Sequence, residues 1–246
     1  MVEAVSAPGS ARMRERLIVA LDVPNAQAAG ELVSSIGDAA GIYKVGLQLF
    51  TAEGPGLVRD LVSSGRQVFL DLKLHDIPTT VGRAVKSAAS LGVSMLTVHA
   101  AGGSDMLRAA VEAAGQRSNI LAVTVLTSFG DEDLREIGVP GPIPDQVLRL
   151  AFLAQKAGCA GVVTSARETA LVRKSLGESF AIVNPAIRPA GIAQDDQERT
   201  ATPAEAILAG ATHIVVGRPI TKAEDPARAA QKIVLEMEQA QSSGLR

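Results

Sequence analysis

The chain has 246 residues, is 47% hydrophobic, and carries 24 basic against 26 acidic side chains, for a net charge of −2. That balance gives no field to gather nucleic acid or an anionic membrane, so an anionic ligand has to be held by a local site and the expected partner is a small molecule. One tyrosine, five phenylalanines and no tryptophan leave no stacking platform for single-stranded nucleic acid, and a lone cysteine excludes internal disulfides and thiolate metal clusters.

Residues 1–13 are small and polar and read as a flexible N-terminal tail; residues 14–246 read as one catalytic domain. The first apolar run, Leu17 to Leu21, is too short for a signal peptide or a membrane span, which predicts a cytoplasmic protein. From there, short β-branched runs recur at Leu17–Val23, Ile42–Gly46, Gln67–Lys73, Ser94–His99, Ile120–Leu126, Gly161–Thr164, Ala181–Asn184 and His213–Val216. Between them, the spacing predicts amphipathic helices over Ala26–Ile36, Val81–Leu91, Asp105–Ala114, Gln146–Ala157, Glu168–Ser175, Pro203–Ala209 and Pro226–Gln239. Cys159 opens one of the strand-like runs and reads as a small buried hydrophobe.

Repeated βα units imply a parallel sheet, because a parallel pair needs a crossover. Eight of them predict an α/β fold, a single-domain (β/α)8 TIM barrel. The competing doubly wound sheet would need a glycine-rich turn after the first strand, where Asp22-Val23-Pro24-Asn25 stands instead.

In such a barrel the site lies at the carboxyl ends of the strands. The polar residues there are Asp22, Lys44, Asp71 with Lys73, His99, Thr127 with Ser128, and Gly217 with Arg218. Strand three is the richest. Alternation over Phe69 to Asp76 puts Asp71, Lys73 and His75 on one face and Leu70, Leu72 and Leu74 on the other. A hairpin strand with a wet face would alternate in the same way, but the Asp-Ile-Pro-Thr-Thr that follows is a turn and helix start. Of the histidines, His75 has the stronger claim on a ligand; His99 and His213 read as structural.

The last strand leads into Gly217-Arg218-Pro219, where a glycine permits close approach, an arginine offers a planar fork and a proline suits a first helical turn. Strands seven and eight are where barrels of this class most often hold a phosphate. The connection over residues 185–202 is long enough to work as a lid; it carries Arg188 and Gln197, with Gly191 to let it flex.

Taken together, the block Asp71-Leu-Lys-Leu-His-Asp-Ile-Pro-Thr-Thr80, with Leu-Asp22-Val and Lys44-Val-Gly before it and Leu-Thr127-Ser, Asp-Asp-Gln197 and Val-Val-Gly-Arg218-Pro after it, resembles the orotidine 5′-phosphate decarboxylase family of the bacterial type. The match runs from about residue 17 to 220. The resemblance implies decarboxylation of orotidine 5′-monophosphate to uridine 5′-monophosphate and carbon dioxide, the last step of pyrimidine nucleotide synthesis, without metal or organic cofactor. It makes Lys73 the proton donor to the pyrimidine carbon, places Asp71 beside the departing carboxylate, and completes an alternating charge network with Lys44 and Asp76. Asp22 and Lys44 are implied to hold ribose hydroxyls, Thr127 and Ser128 the base, and Gln197, Gly217 and Arg218 the phosphate, with Arg188 a further substrate-binding residue. Family members are homodimers, and the resemblance implies that Asp76 and Thr80 reach the neighbouring subunit's site.

Two other readings fit parts of this pattern. Metal-dependent sugar-phosphate decarboxylases and aldolases share Asp-Xaa-Lys-Xaa-Xaa-Asp but use a carboxylate on strand two to help bind magnesium; here that region offers the cation Lys44. A catalytically silent nucleotide-binding barrel would have to keep a costly charge cluster without using it.

Overall fold

A period of two runs along the strands and divides their hydrophobic side chains between two cores. In the computed structural model, which describes residues 13–190 and 200–244, the strands are β1 (Leu17–Ala20), β2 (Ile42–Gly46), β3 (Gln67–Leu74), β4 (Met95–His99), β5 (Asn119–Val123), β6 (Gly161–Val163), β7 (Ala181–Asn184) and β8 (His213–Val216). All neighbours pair in parallel, β8 closes onto β1 through Leu17 opposite Ile214, and the order around the closed barrel is the chain order. Ile18, Ala20, Ile42, Phe69, Met95, Leu121, Val123, Val163, Val183 and Val215 fill the barrel interior. The alternate residues, among them Leu17, Val19, Tyr43, Val45, Leu70 and Leu96, face outward into a larger core beneath the helices. Strands buried on both faces read as near-continuous apolar runs, which is why the runs were visible in the sequence.

The helices are α1 (Ala26–Ile36), α2 (Leu47–Ser63), α3 (Pro78–Ala89), α4 (Gly103–Ala114), α5 (Asp131–Glu136), α6 (Ile143–Lys156), α7 (Ala166–Leu176), α8 (Pro203–Leu208), α9 (Arg218–Thr221) and α10 (Pro226–Gly244). Local chemistry sets their starts. Asn25 accepts from the backbone N–H of Ala28 to cap α1. Thr202 and Glu205 form a reciprocal capping box around Pro203 at α8. Among the described residues, no helix is long and apolar enough to cross a membrane.

The differences from expectation are local. Residues 1–12 of the predicted tail lie outside the described residues, but Met13, assigned to that tail, is 4% exposed and belongs to the outer core. β1 stops at Ala20 rather than Val23, and β5 at Val123 rather than Leu126. Helix α2 was not among the predicted stretches because Gly54-Pro55-Gly56 sits inside it. Gly54 at φ 66° takes up the kink there, and Pro55 follows. Strand three departs most. Lys73 has φ 50°, and the register jumps from Leu70 opposite Leu96 to Leu74 opposite Val98, so three residues of β3 stand against Thr97 alone. Simple alternation therefore fails beyond Asp71, and a bulge, not a regular pleat, aims the lysine.

Candidate active site

On β1, β2, β3, β4 and β8, the residue two past the last interior side chain is polar or glycine. Ala20 is followed by Asp22, Ile42 by Lys44, Phe69 by Asp71, Met95 by Thr97 and Val215 by Gly217. The same alternation that builds the interior core thus delivers ionisable groups to one end of the barrel. They open onto a cavity of about 500 Å³ whose walls include Asp22, Lys44, Asp71, Lys73, Thr127, Arg188, Gly217 and Arg218.

Charges alternate along one side of this cavity. The Lys44 ammonium lies 3.2 Å from Asp22 and 3.5 Å from Asp71, and the Lys73 ammonium donates to both oxygens of Asp71 at 2.9 Å. Asp71 and Lys44 are the most secluded members, each with only 12% of its side chain exposed. Burial acts to raise the pKa of Asp71, but the charges of Lys44 and then Lys73, with hydrogen bonds from Lys73 and the Thr97 hydroxyl, more than offset this and hold the carboxyl below the usual carboxylate value. Asp71 is therefore a fixed anion at neutral pH, with a lysine on either side.

Asp76 is not part of this cluster within the single chain. It is exposed, accepts from the Ile77 backbone N–H at 2.6 Å, and forms no ion pair among the described residues. Thr80 on α3 is likewise exposed, and between them Ile77 is 65% exposed. Ser128 is exposed and does not line the cavity, whereas its neighbour Thr127 does. Gln197, together with Gly191, lies outside the described residues. Before that segment, Arg188 is 8% exposed and its backbone N–H donates to Ala201 at 2.9 Å, so the two described ends of the long connection are tied together at its neck. His75 stacks obliquely on His99, ring centroids 5.6 Å apart, and neither lines the cavity. Cys159 is buried, and desolvation pushes its thiol up to about 12.

Sequence reasoning missed two residues. A Cβ on Gly46 would come within 2.9 Å of the Lys44 ammonium, so glycine here keeps room for the Lys44–Asp22 pair. Thr97, fully buried, accepts from the Lys73 backbone N–H and donates to Asp71. A threonine inside an apolar run reads as ordinary strand filler, and the only clue was its place on the inward register.

The comparisons with known proteins agree with this geometry. Residues 15–233 match the model of the orotidine 5′-phosphate decarboxylase / HUMPS family. The orotidine 5′-phosphate decarboxylase of Anaeromyxobacter dehalogenans is 53% identical over 219 residues, spanning 89% of this chain and 96% of that protein. That of Methylorubrum extorquens is 52% identical over 233 residues, spanning 95% and 100%. Among solved structures, the orotidine 5′-phosphate decarboxylase of Lactobacillus acidophilus superposes with a TM-score of 0.82 at 40% identity, covering 91% of this chain and 99% of that one. A closed eight-stranded barrel, a carboxylate flanked by two lysines at its mouth, and relatives matched over nearly their whole length together place the chain in the orotidine 5′-phosphate decarboxylase / HUMPS family.

Proposed function

We propose that this chain converts orotidine 5′-monophosphate to uridine 5′-monophosphate and carbon dioxide, with the Lys73 ammonium protonating the pyrimidine carbon that loses its carboxylate. The decarboxylation follows from the family and from relatives at about half identity. The observation that carries the residue assignment is the Lys73 ammonium held on both oxygens of Asp71 in the cavity wall, with Lys44 on the carboxylate's other side.

When the carbon–carboxylate bond breaks, its electron pair stays on a ring carbon that can delocalise it poorly. A cation fixed about 4 Å from a developing unit charge stabilises it by about 4 kcal/mol at an effective dielectric of about 20. Lys73 then transfers one N–H proton to that carbon, completing the C–H bond of the product, and regains a proton from solvent. Asp71 supplies the anionic neighbour that a partly buried ammonium needs, and Lys44 keeps that aspartate from facing the substrate as a bare anion. The alternation Asp22, Lys44, Asp71, Lys73 is in place before substrate arrives, so no reorganisation is left for the moment of reaction.

In this reading Asp22 and Lys44 hold the ribose hydroxyls, Thr127 and Ser128 the base, and Arg188, Gln197, Gly217 and Arg218 the substrate's phosphate end. The position of Lys44, a cation between Asp22 and Asp71 where a magnesium ion would need ligands, favours a reaction run on side chains alone. The enzyme works in the cytoplasm as a homodimer, with Asp76 and Thr80 of each subunit completing its neighbour's site. What supports this is the exposed run Asp76 to Thr80 just past β3, with Ile77 65% exposed, together with the 57% exposed Leu47 just past the neighbouring strand β2 and an Asp76 carboxylate that forms no ion pair among the described residues.

The test is an ultraviolet assay of orotidine 5′-monophosphate consumption. The wild-type protein turns over, Lys73→Ala and Asp76→Ala alone do not, and mixing the two inactive proteins restores about a quarter of wild-type activity, because half the dimers are hybrids with one intact site. Wild-type inactivity refutes the reaction. Full activity of Lys73→Ala refutes the donor, and a mixture as dead as its parts refutes the shared site.

A further inference from the structure

The bulge in β3 creates a problem that the fold has to solve. Between Leu70 and Leu74 the strand carries three residues against the single Thr97 of β4, so the ordinary ladder cannot serve every backbone group there. The backbone N–H of Lys73 lies in this gap, on a residue at φ 50°, a left-handed conformation that a long side chain rarely adopts and that persists only where the surroundings enforce it. The enforcing group is visible. The Thr97 hydroxyl accepts from the Lys73 N–H at 2.8 Å and donates to Asp71 Oδ1 at 3.0 Å. Both polarities are fixed by chemistry, because an N–H can only donate, a carboxylate can only accept, and a hydroxyl does one of each. The Lys73 ammonium closes the ring on the same oxygen, Oδ1, at 2.9 Å.

We infer that Thr97 is a positioning residue for the decarboxylation, whose hydroxyl locks the strand-three bulge and the Asp71 carboxylate into one hydrogen-bonded ring so that the Lys73 ammonium is held at the reacting carbon. The inference rests on the reading of Lys73 as proton donor and goes beyond it. Thr97 is fully buried and does not line the cavity, so it acts through Asp71 and Lys73 and never touches the substrate. Its removal leaves two defects at once: a half-buried N–H without its acceptor that no longer favours φ 50°, and a carboxylate short of a donor. Both release the lysine while leaving the phosphate end of the cavity, built from β7 and β8, unchanged.

The experiment compares wild type, Thr97→Val, which keeps the shape and removes the hydroxyl, and Thr97→Ser, which restores it. Each variant is assayed for kcat and KM on orotidine 5′-monophosphate, for affinity toward uridine 5′-monophosphate, and for Tm. Misplacement of a catalytic group by an ångström typically costs on the order of 10²-fold, and Thr97→Val is expected to lose about that much in kcat. Its product affinity should stay within about threefold of wild type, and Thr97→Ser should recover kcat to within about tenfold. Three results overturn the inference: kcat unchanged in Thr97→Val, Ser and Val equally impaired, or product affinity falling in step with kcat, which marks general collapse of the site. If Thr97→Val does not fold, Thr97→Cys, whose thiol donates only weakly, replaces it against Thr97→Ser with the same three criteria. A wild-type protein inactive on orotidine 5′-monophosphate sinks the proposed function itself; an active wild type with an unimpaired Thr97→Val sinks this inference alone.

Discussion

The two ends of the barrel hold cations in opposite ways. At the amino-terminal end Arg16 donates to the backbone carbonyls of Thr212 at 2.8 Å and Ala211 at 2.7 Å, and to Gln241, so its fork ties the start of β1 to the start of β8 and to α10. At the carboxyl-terminal end Lys44 and Lys73 meet carboxylates, Lys44 from the regular strand β2 and Lys73 from the bulge of β3 with its backbone in the left-handed region. Neutral carbonyls hold the guanidinium fork by geometry and leave its charge in place, which suits a structural joint far from the chemistry. A carboxylate gripped by two ammoniums remains a strong, fixed field beside a cavity, which suits chemistry. Burial of charge is thus a stability device at one end and a catalytic device at the other, and the same fold separates the two by the length of its strands.

Substitutions should break along that line. The largest effect belongs to the mouth: Lys73→Ala is expected to lower kcat by roughly 10⁴-fold, the combined worth of a proton donor and a preorganised cation, with Tm little changed. Next, Arg218→Ala removes a charge-assisted contact at the phosphate end and is expected to lower kcat/KM by about 10²-fold, seen mainly in KM, in steady-state assays. At the other end, Arg16→Ala deletes two strong hydrogen bonds to carbonyls that remain half-buried. It should cost about 2 kcal/mol, read in a thermal melt as a Tm lower by roughly 5 °C, with kcat unchanged.

The last test sharpens the comparison through pH. His213, at the same end as Arg16, is half-buried, and desolvation with the Arg16 charge pushes its imidazole down from 6.5 to about 4. The folded state therefore binds fewer protons than the unfolded chain between those values. The stability this group contributes is complete above pH 6.5 and is lost as pH falls toward about 4. Asp71, also depressed, contributes above its ordinary value of 3.8 and loses that contribution only at lower pH. Melts of wild type should therefore drop in Tm between pH 6.5 and 4, and His213→Gln should flatten that drop without altering kcat. An unchanged slope in the variant means that another group carries the acid sensitivity.

The barrel was legible because its strands are apolar on both faces and its helices carry Ala and Leu at helical spacing; both signals come from burial, and burial is what closes the fold. The same period of two located Asp22, Lys44, Asp71 and Gly217, since each is the next inward position after an interior hydrophobe. What the pattern could not show was geometry that breaks the pattern. The bulge at Lys73 depends on a threonine of another strand, 24 residues away, and alternation alone gave the right partners for the wrong local reason. Helix α2 was hidden by Gly54 and Pro55, whose local preference yields to packing against β2 and β3. Asp76 joined the charge cluster only through the family resemblance, and within the single chain it is exposed and forms no ion pair among the described residues.

The most direct measurement is a crystal structure of the protein with a uridine 5′-phosphate analogue substituted at the ring carbon that bears the carboxylate. The account predicts the phosphate at Gly217 and Arg218, the substituent at hydrogen-bond distance from the Lys73 ammonium, and that ammonium still on Asp71. An analogue bound with its ring turned away from Lys73, or with its phosphate seated on Lys44 and Lys73, would contradict it.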